Sequence, residues 1–148
     1  MRFSGNIQAK VDAKVRVFLP SSFRKVLELA QEDTLFLRRH DYARCITLIP
    51  ASVWNKKLDM LSDRLLDVKP AMANTIYRQY VKDTEELQLD GNGRFLISKS
   101  FLQFAGISQE VAFVGMDEIV EIWNPSALNE SMLSEEDYKS ALEDLGVL

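Results

Sequence analysis

The chain has 148 residues, of which 47% are hydrophobic and 27% are charged, a composition typical of a folded soluble protein and not of a disordered one. No apolar run approaches the roughly 18 residues that a membrane-spanning helix needs, and the polar opening MRFSGNIQAK lacks the apolar core of a signal peptide. The single cysteine, Cys45, excludes an internal disulfide, so we expect a cytoplasmic protein.

The formal net charge of −4 is unevenly distributed along the chain. Residues 1–57 contain eleven Lys or Arg and five Asp or Glu, a balance of +6, whereas the rest of the chain carries −10. Such an asymmetry indicates a basic working surface and an acidic remainder. The alternative is that the charges cluster by chance on solvated faces.

The first third of the chain predicts a small β-rich module. A polar strand over 6–10 precedes an Asp-x-x-x-Arg turn at 12–16 and an apolar strand over 15–19. A short helix over 22–29 follows, with serine hydroxyls placed to cap its first free amides. Two further strands are expected, the second ending at Pro50, where another helix begins.

A helical insert follows this module. Two groups of apolar residues recur at helical spacing and predict two helices, which Pro70 separates. The groups are Leu58, Leu61, Leu65 and Leu66, and then Ala73, Ile76, Tyr77 and Tyr80.

The same order of elements then returns, because residues 89–108 align with residues 11–30 at an offset of 78. The predicted elements are a strand over 85–89, a turn at 90–94, a strand over 94–97 and a helix over 99–104. Further on, EVAFVG (110–115) matches TLFLRR (34–39), and EIWNPSAL (121–128) matches TLIPASVW (47–54). The aligned pairs in the first block include Asp12 with Asp90, Arg16 with Arg94, Phe18 with Leu96 and Phe23 with Phe101.

The repeat predicts an α+β fold with two tandem modules, over 3–57 and 83–128. The insert occupies 58–82, and a C-terminal helix lies within 129–148, after a capping pattern and before Gly146. About 40–50 residues rarely bury enough apolar surface alone. We therefore expect the modules to share one core as a pseudo-dimeric β-barrel with flanking helices, in which each hairpin completes the other's sheet.

The doubled module resembles the MraZ family, whose fold is the AbrB-type swapped-hairpin barrel. The resemblance rests on Phe3–Ser4–Gly5, VDAKVRVFLP (11–20), LDGNGRFLI (89–97), LIPASVW and EIWNP, and it extends from residue 2 to about 128. It implies a sequence-specific transcription factor that binds direct repeats upstream of the bacterial division and cell-wall gene cluster, its own promoter included. It also implies association with the nucleoid and a ring-shaped homo-oligomer, for which an octamer is the best expectation.

The resemblance places Asp12, Arg16, Asp90 and Arg94 in hairpins that face double-stranded DNA. In a strand, Lys14 and Arg16 would share one face, where one cation could neutralise a phosphate and the other read a base edge. The alternative for Arg16 is an ordinary solvated strand with an Asp12–Arg16 ion pair. Because carboxylates repel phosphate, we expect the two aspartates to brace the turns or orient the adjacent arginines.

Other basic residues are candidates for phosphate contacts, which give affinity without sequence information. They are Arg2, Lys10, Arg24 and Lys25. A second group, Arg38, Arg39 and Arg44, could touch DNA or pair with an acidic neighbour in a ring. The second module has few bases, so it could be a structural partner more than a DNA reader.

One departure from the family concerns the first turn, where the family often has glycine and this chain has Val15. A β-branched residue tolerates positive φ poorly, whereas both residues of Asn92–Gly93 accept it. The sequence therefore predicts that the two turns differ in shape.

No pattern predicts an enzyme, a cofactor or a metal site. His40 and Cys45 fall short of the four ligands of a structural zinc site and are expected to be ordinary turn and strand residues. The alternative function is a protein-interaction module, antitoxin-like or scaffold, on the same fold. A disordered C-terminal tail would favour that alternative, but the tail is predicted to be helical.

Overall fold

The computed structural model describes residues 1–148 and contains eight strands and six α-helices. The strands are β1 (Asn6–Lys10), β2 (Arg16–Phe18), β3 (Leu35–Arg39), β4 (Ile46–Pro50), β5 (Glu85–Leu87), β6 (Arg94–Leu96), β7 (Glu110–Met116) and β8 (Ile119–Trp123). The helices are α1 (Ser21–Leu29), α2 (Ala51–Arg64), α3 (Pro70–Val81), α4 (Lys99–Ala105), α5 (Pro125–Ser131) and α6 (Glu135–Asp144). A 3₁₀ helix, Leu65–Asp67, follows α2.

Six strands form one antiparallel sheet in the order β1-β7-β8-β4-β3-β5, and β2 pairs with β6 in a separate two-stranded ribbon. The α+β class is confirmed. The first strand of each repeat pairs with the other repeat, since β1 lies against β7 and β5 against β3. No closed barrel is found: β1 and β5 remain the two edges of an open sheet.

Equivalent positions of the two repeats face each other in both sheets. In the ribbon, Val17 is opposite Phe95, which is its counterpart at the offset of 78. At the centre of the large sheet, Thr47 of β4 is opposite Glu121 of β8, its counterpart in the matched segments. The two repeats are therefore related by a pseudo-twofold axis that passes through the ribbon and the large sheet.

One apolar core joins the two repeats. A cluster of 19 buried residues includes Val17 and Phe23 from the first repeat and Phe95 and Phe101 from the second. The ribbon contributes its inner face to this cluster, because side chains alternate along a strand. The shared core agrees with the argument that neither repeat could bury enough surface alone.

The helix starts differ in part from the sequence prediction. The serines predicted to cap α1 do not do so, because α1 begins after Pro20 and has no side-chain cap. Helix α4 has no side-chain cap either, and the Ser98 hydroxyl before it lies 3.2 Å from the Ser100 hydroxyl. The cap predicted at the C-terminal helix is confirmed, because the Ser134 hydroxyl accepts a hydrogen bond from the Asp137 N–H (3.1 Å).

The insert packs against the six-stranded sheet but buries few of its own residues. Helix α2 begins at Ala51 and so crosses the boundary predicted at residue 57. Trp54 stacks on Tyr80 of α3 with 5.5 Å between ring centroids, yet no residue of α3 is buried. Met60, Leu66 and Met72 are exposed on this insert. None of the helices in the structure has both the length and the apolar character that a membrane crossing requires.

Candidate nucleic-acid interface

The first Asp-x-x-x-Arg turn is organised around the carboxylate of Asp12. Its Oδ1 accepts hydrogen bonds from the backbone N–H groups of Lys14 (2.9 Å) and Arg16 (3.0 Å). Its Oδ2 accepts from the Arg16 side-chain Nε at 3.0 Å. The carboxylate therefore holds the turn closed and fixes the guanidinium of Arg16 at the same time.

The second turn repeats this arrangement. Asp90 Oδ1 accepts from the backbone N–H groups of Asn92 and Arg94, both at 2.9 Å, and Oδ2 accepts from Arg94 Nε at 2.9 Å. The Arg94 backbone amide is the main cause of the lowered pKa of Asp90, and the Arg16 amide has the same effect on the pKa of Asp12.

The prediction that the two turns differ in shape is wrong. Val15 has a φ of 56° and Gly93 a φ of 81°, so both backbones are left-handed at this position. The prediction failed because contacts outside the turn hold the Val15 backbone, and local preference alone does not decide it. Asn92, unlike Gly93, does not adopt positive φ.

The two turns are joined through their left-handed residues. The Val15 carbonyl accepts a hydrogen bond from the N–H of Ile97 (2.9 Å), and the Gly93 carbonyl accepts one from the N–H of Leu19 (3.0 Å). These bonds extend the β2–β6 ribbon at both ends. The turns and the ribbon therefore form one unit, to which each repeat contributes half.

The outer face of the ribbon carries four side chains. Arg16 is opposite Leu96, and Phe18 is opposite Arg94, so the cations and the apolar groups lie on opposite diagonals. Phe18 and Leu96 are 52% and 54% exposed, whereas Val17 on the inner face is 1% exposed. The Arg94 guanidinium lies 5.6 Å from the centroid of the Phe18 ring. Sequence analysis identified the two arginines and missed the exposed apolar pair.

Known proteins with similar sequences include the ribbon in the matched region. Residues 81–140, which include the second turn, match the family model described as "MraZ protein, putative antitoxin-like". The protein named "Transcriptional regulator MraZ" from Phocaeicola vulgatus is 43% identical over 98% of this chain and 94% of its own length. The proteins of that name from Bacteroides fragilis and Bacteroides thetaiotaomicron are 42% and 41% identical over 98% of this chain and 91% and 92% of theirs.

The chain belongs to the MraZ family. The relatives align over nearly the full length, so the likeness includes both repeats and the insert. The names of these relatives describe regulators of transcription.

The remaining candidate residues of this MraZ-family chain are spread more widely than the turns. Lys14 lies inside the first turn, before β2 begins, so strand alternation does not place it on the face of Arg16 as predicted. Lys10 is the last residue of β1 and leads into that turn. Arg2 pairs with Asp117 (3.3 Å) at the opposite end of β1, roughly 25 Å away if eight residues are extended.

Arg24 is half-buried against the second turn. Its Nη1 lies 3.5 Å from the Asn92 carbonyl, and its Nε is buried without a hydrogen-bond partner. A groove beside this turn is lined by Arg24 together with four acids, Glu28, Glu32, Asp33 and Asp90. Arg24 comes from the basic first third of the chain, but in the fold it lies beside the second turn, among these four acids.

A polar cluster that sequence analysis missed joins His40 to Glu121. Glu121 is 7% exposed, and its two carboxylate oxygens contact His40 Nε2 (3.2 Å) and Trp123 Nε1 (2.9 Å). The Cys45 thiol completes a group whose candidate ligand atoms lie within 4.8 Å of one another. Burial, and secondly the charge of Glu121, raises the pKa of Cys45 to about 12. The sequence signal for this cluster was Glu121 itself, an acid in the middle of the apolar strand β8.

This cluster does not fit a metal site. His40 Nδ1 accepts hydrogen bonds from the backbone N–H groups of Tyr42 (3.0 Å) and Ala43 (3.1 Å). A histidine that binds a metal through Nε2 normally donates an N–H from its other nitrogen, and here that nitrogen is already an acceptor. These two bonds hold the loop between β3 and β4, and the contact of His40 Nε2 with Glu121 ties that loop to β8.

The arginines of the β3–β4 hairpin form a separate basic group. Arg38 pairs with Asp41 (3.0 Å) and lies 4.0 Å from the Tyr80 ring centroid. The guanidinium carbons of Arg39 and Arg44 lie 5.0 and 4.9 Å from the Phe104 ring centroid. Aromatic contacts thus hold these cations.

Proposed function

We propose that this chain is a sequence-specific DNA-binding regulator of transcription whose β2–β6 ribbon enters the major groove. The observation that carries the proposal is that Arg16 and Arg94 lie on the outer face of one ribbon, each held by its own aspartate. The major groove is about 12 Å wide and admits a two-stranded ribbon. The names of the close relatives support the same function.

The hydrogen bonds of Arg16 and Arg94 leave both guanidiniums able to contact DNA bases. Only Nε of Arg16 is bonded to Asp12, and only Nε of Arg94 to Asp90, which leaves the terminal nitrogens of both guanidiniums without protein partners. Two terminal N–H groups can donate to O6 and N7 of one guanine, the commonest specific contact of arginine with DNA. The aspartates orient the guanidiniums before DNA arrives, so less side-chain entropy is lost on binding.

Phosphate contacts would come mainly from the first repeat. Lys10 and Lys14 lie in or next to the first turn, and Lys25 is exposed on α1. Arg24 is turned toward Asn92, and Arg2 lies at the far end of β1, which makes both weaker candidates than Lys10 and Lys14. The acids that line the groove by the second turn would repel phosphate there. The first turn is therefore the stronger phosphate contact in this proposal.

We further propose that the chain acts as a ring-shaped homo-oligomer, an octamer as the best estimate, on direct repeats. One ribbon presents few contacts, so several subunits on repeated sites would supply affinity through effective concentration. The insert exposes three large apolar side chains, Met60, Leu66 and Met72, and exposed apolar surface of this kind is available for self-association. The cross-repeat strand pairs support a swapped-hairpin pseudo-dimer within each subunit.

The domain limits proposed for each subunit are 3–57 and 83–128 for the modules, with the insert at 58–82 and the C-terminal region at 129–148. The target proposed from the family resemblance is the division and cell-wall gene cluster, including the gene's own promoter. The protein would then be cytoplasmic and associated with the nucleoid.

The experiment that tests DNA recognition is fluorescence-anisotropy binding to DNA from upstream of the chain's own gene and to scrambled DNA. Wild type should prefer the upstream DNA, and log K should fall linearly with log salt, with a slope of about −0.9 per phosphate contacted. Arg16→Ala and Arg94→Ala should each lose about 1–3 kcal/mol of the preference, because each removes a bidentate contact.

One control variant and one turn variant sharpen this test. Arg78→Ala removes an exposed arginine of α3 and should leave the preference unchanged. Asp12→Asn retains an oxygen acceptor for the turn but loses the charge that holds Arg16, so it should weaken binding to the upstream DNA more than to scrambled DNA. Equal binding of wild type to both DNAs would reject sequence-specific recognition.

The second candidate is an antitoxin-like protein-interaction module, which the description of the matching family model favours. Helix α6 takes up most of the C-terminal region, which therefore offers no long extended tail to wrap a partner. Absence of DNA binding at low salt by the oligomer, together with a stoichiometric protein partner in a pull-down, would favour this second candidate.

A further inference from the structure

The outer face of the ribbon exposes two large apolar side chains at equivalent positions of the two repeats. Phe18 is 52% exposed and Leu96 is 54% exposed, although the side chains of the opposite face fill the core. An isolated exposed leucine needs no explanation, but this pair forms one diagonal of a four-residue face whose other diagonal is Arg16 and Arg94. Apart from the Arg94 guanidinium, 5.6 Å from the Phe18 ring centroid, about half of this apolar surface is left open to solvent.

The flanking charges indicate what covers the pair. Phe18 is opposite Arg94 and Leu96 is opposite Arg16, so each apolar side chain has a guanidinium as its cross-strand neighbour. An apolar protein partner would have to bury two cations, at a high desolvation cost. A polyanion that also displays apolar groups can contact both the guanidiniums and the apolar side chains of this face. The floor of the DNA major groove has this character, since acceptor atoms of guanine and C5-methyl groups of thymine are both displayed there.

We infer that Phe18 and Leu96 contact the C5-methyl groups of thymines next to the guanines read by Arg94 and Arg16. This inference rests on the proposed DNA-binding function and adds a second kind of base readout to it. Cross-strand neighbours on one face lie about 5 Å apart, a distance comparable with the spacing of neighbouring base pairs, so an arginine and an apolar residue can meet adjacent bases. The chain would then prefer sites that combine G with T.

The test measures how much binding depends on the thymine methyl groups. Two versions of the upstream DNA are prepared, one with thymidine and one amplified with deoxyuridine, which keeps the base-pairing edge and lacks the methyl group. For wild type, affinity should fall about fourfold for each methyl contact, the factor that corresponds to one buried carbon group. Phe18→Ala and Leu96→Ala should each bind the thymidine probe more weakly and lose part of the discrimination. The double variant should bind the two probes equally.

A matched variant and a folding check complete the design. Leu145→Ala removes a 75% exposed leucine in the C-terminal region and should retain the full discrimination of wild type. Thermal unfolding of Phe18→Ala and Leu96→Ala should match wild type, because both side chains are exposed. If either variant unfolds earlier, Phe18→Ser and Leu96→Gln are measured instead, since polar side chains suit this exposed position.

The outcomes separate this inference from the proposed function. Equal binding of wild type to the two probes, with specific binding still lost in Arg16→Ala, would overturn the methyl contact and leave the DNA-binding function standing. Discrimination that persists in the Phe18→Ala/Leu96→Ala double variant would also overturn it, because the methyl groups would then be read elsewhere. Absence of any DNA binding by wild type would overturn both.

Discussion

The carbonyl oxygen of Val15 accepts a hydrogen bond from the backbone N–H of Ile97 at 2.9 Å, across the junction of the two repeats. Val15 can make this bond because its φ of 56° matches the left-handed turn that Gly93 forms in the second repeat. A β-branched residue pays about 1–2 kcal/mol for this conformation. The cross-repeat bond and the packing of the Val15 side chain against the core offset that cost.

Replacing Val15 by glycine should change the free energy of unfolding by less than about 1 kcal/mol. Glycine removes the left-handed strain of about 1–2 kcal/mol but adds about 0.5–1 kcal/mol of unfolded-state freedom and loses the side-chain packing. Urea unfolding, followed by tryptophan fluorescence, measures the difference. A stabilisation of more than about 2 kcal/mol would show that the strain is not offset in wild type.

Gly93→Ala should destabilise the protein by about 1–3 kcal/mol, because the backbone is left-handed there and a side chain also meets Arg24. A Cβ at this position would lie 2.7 Å from Arg24 Cδ and closer still to its Nη1. In an Arg24→Ala background the destabilisation by Gly93→Ala should fall to about 1 kcal/mol, because only the left-handed backbone strain remains. Additive effects of the two substitutions in the double-mutant cycle would contradict the contact between Gly93 and Arg24.

Glu121→Gln should destabilise the protein by about 1–3 kcal/mol, because it disturbs a buried hydrogen-bond network. The amide nitrogen would face His40 Nε2, whose ring cannot move its proton to Nδ1 without losing the bonds from Tyr42 and Ala43. Urea unfolding measures the loss, and the fluorescence of Trp123 should change in the folded state. Glu118→Gln, in the exposed turn before β8, is the matched control and should have no effect.

The two turn aspartates predict how stability depends on acid. The pKa of Asp12 and the pKa of Asp90 are both below the ordinary value of 3.8 in the folded state. Their contribution to stability is therefore fully present above that value and is lost as the pH falls through the lowered folded-state pKa. The urea midpoint of wild type should decrease below about pH 4 more than that of the Asp12→Asn/Asp90→Asn double variant. Parallel curves would contradict this linkage.

Sequence reasoning succeeded where a local pattern determines the structure. The offset of 78 between the Asp-x-x-x-Arg segments aligned Asp12 with Asp90, and the structure shows matching hydrogen bonds for both carboxylates. The cap at Ser134 was also found, since one hydroxyl and one nearby amide suffice to form it. Family membership followed from the same repeated segments.

The tertiary structure decided what depends on residues far apart in the chain. It placed Val15 in a conformation that its side chain disfavours, because a bond from Ile97 lies outside any local window. It left the outer face of the ribbon, with Phe18 and Leu96, open to solvent, because only the inner face of this two-stranded ribbon meets the core. It left the large sheet open, since β1 and β5 pair on one side only. A cap such as that of Ser134 needs only a few residues, whereas the backbone of Val15, burial and sheet closure depend on partners that only the folded chain brings together.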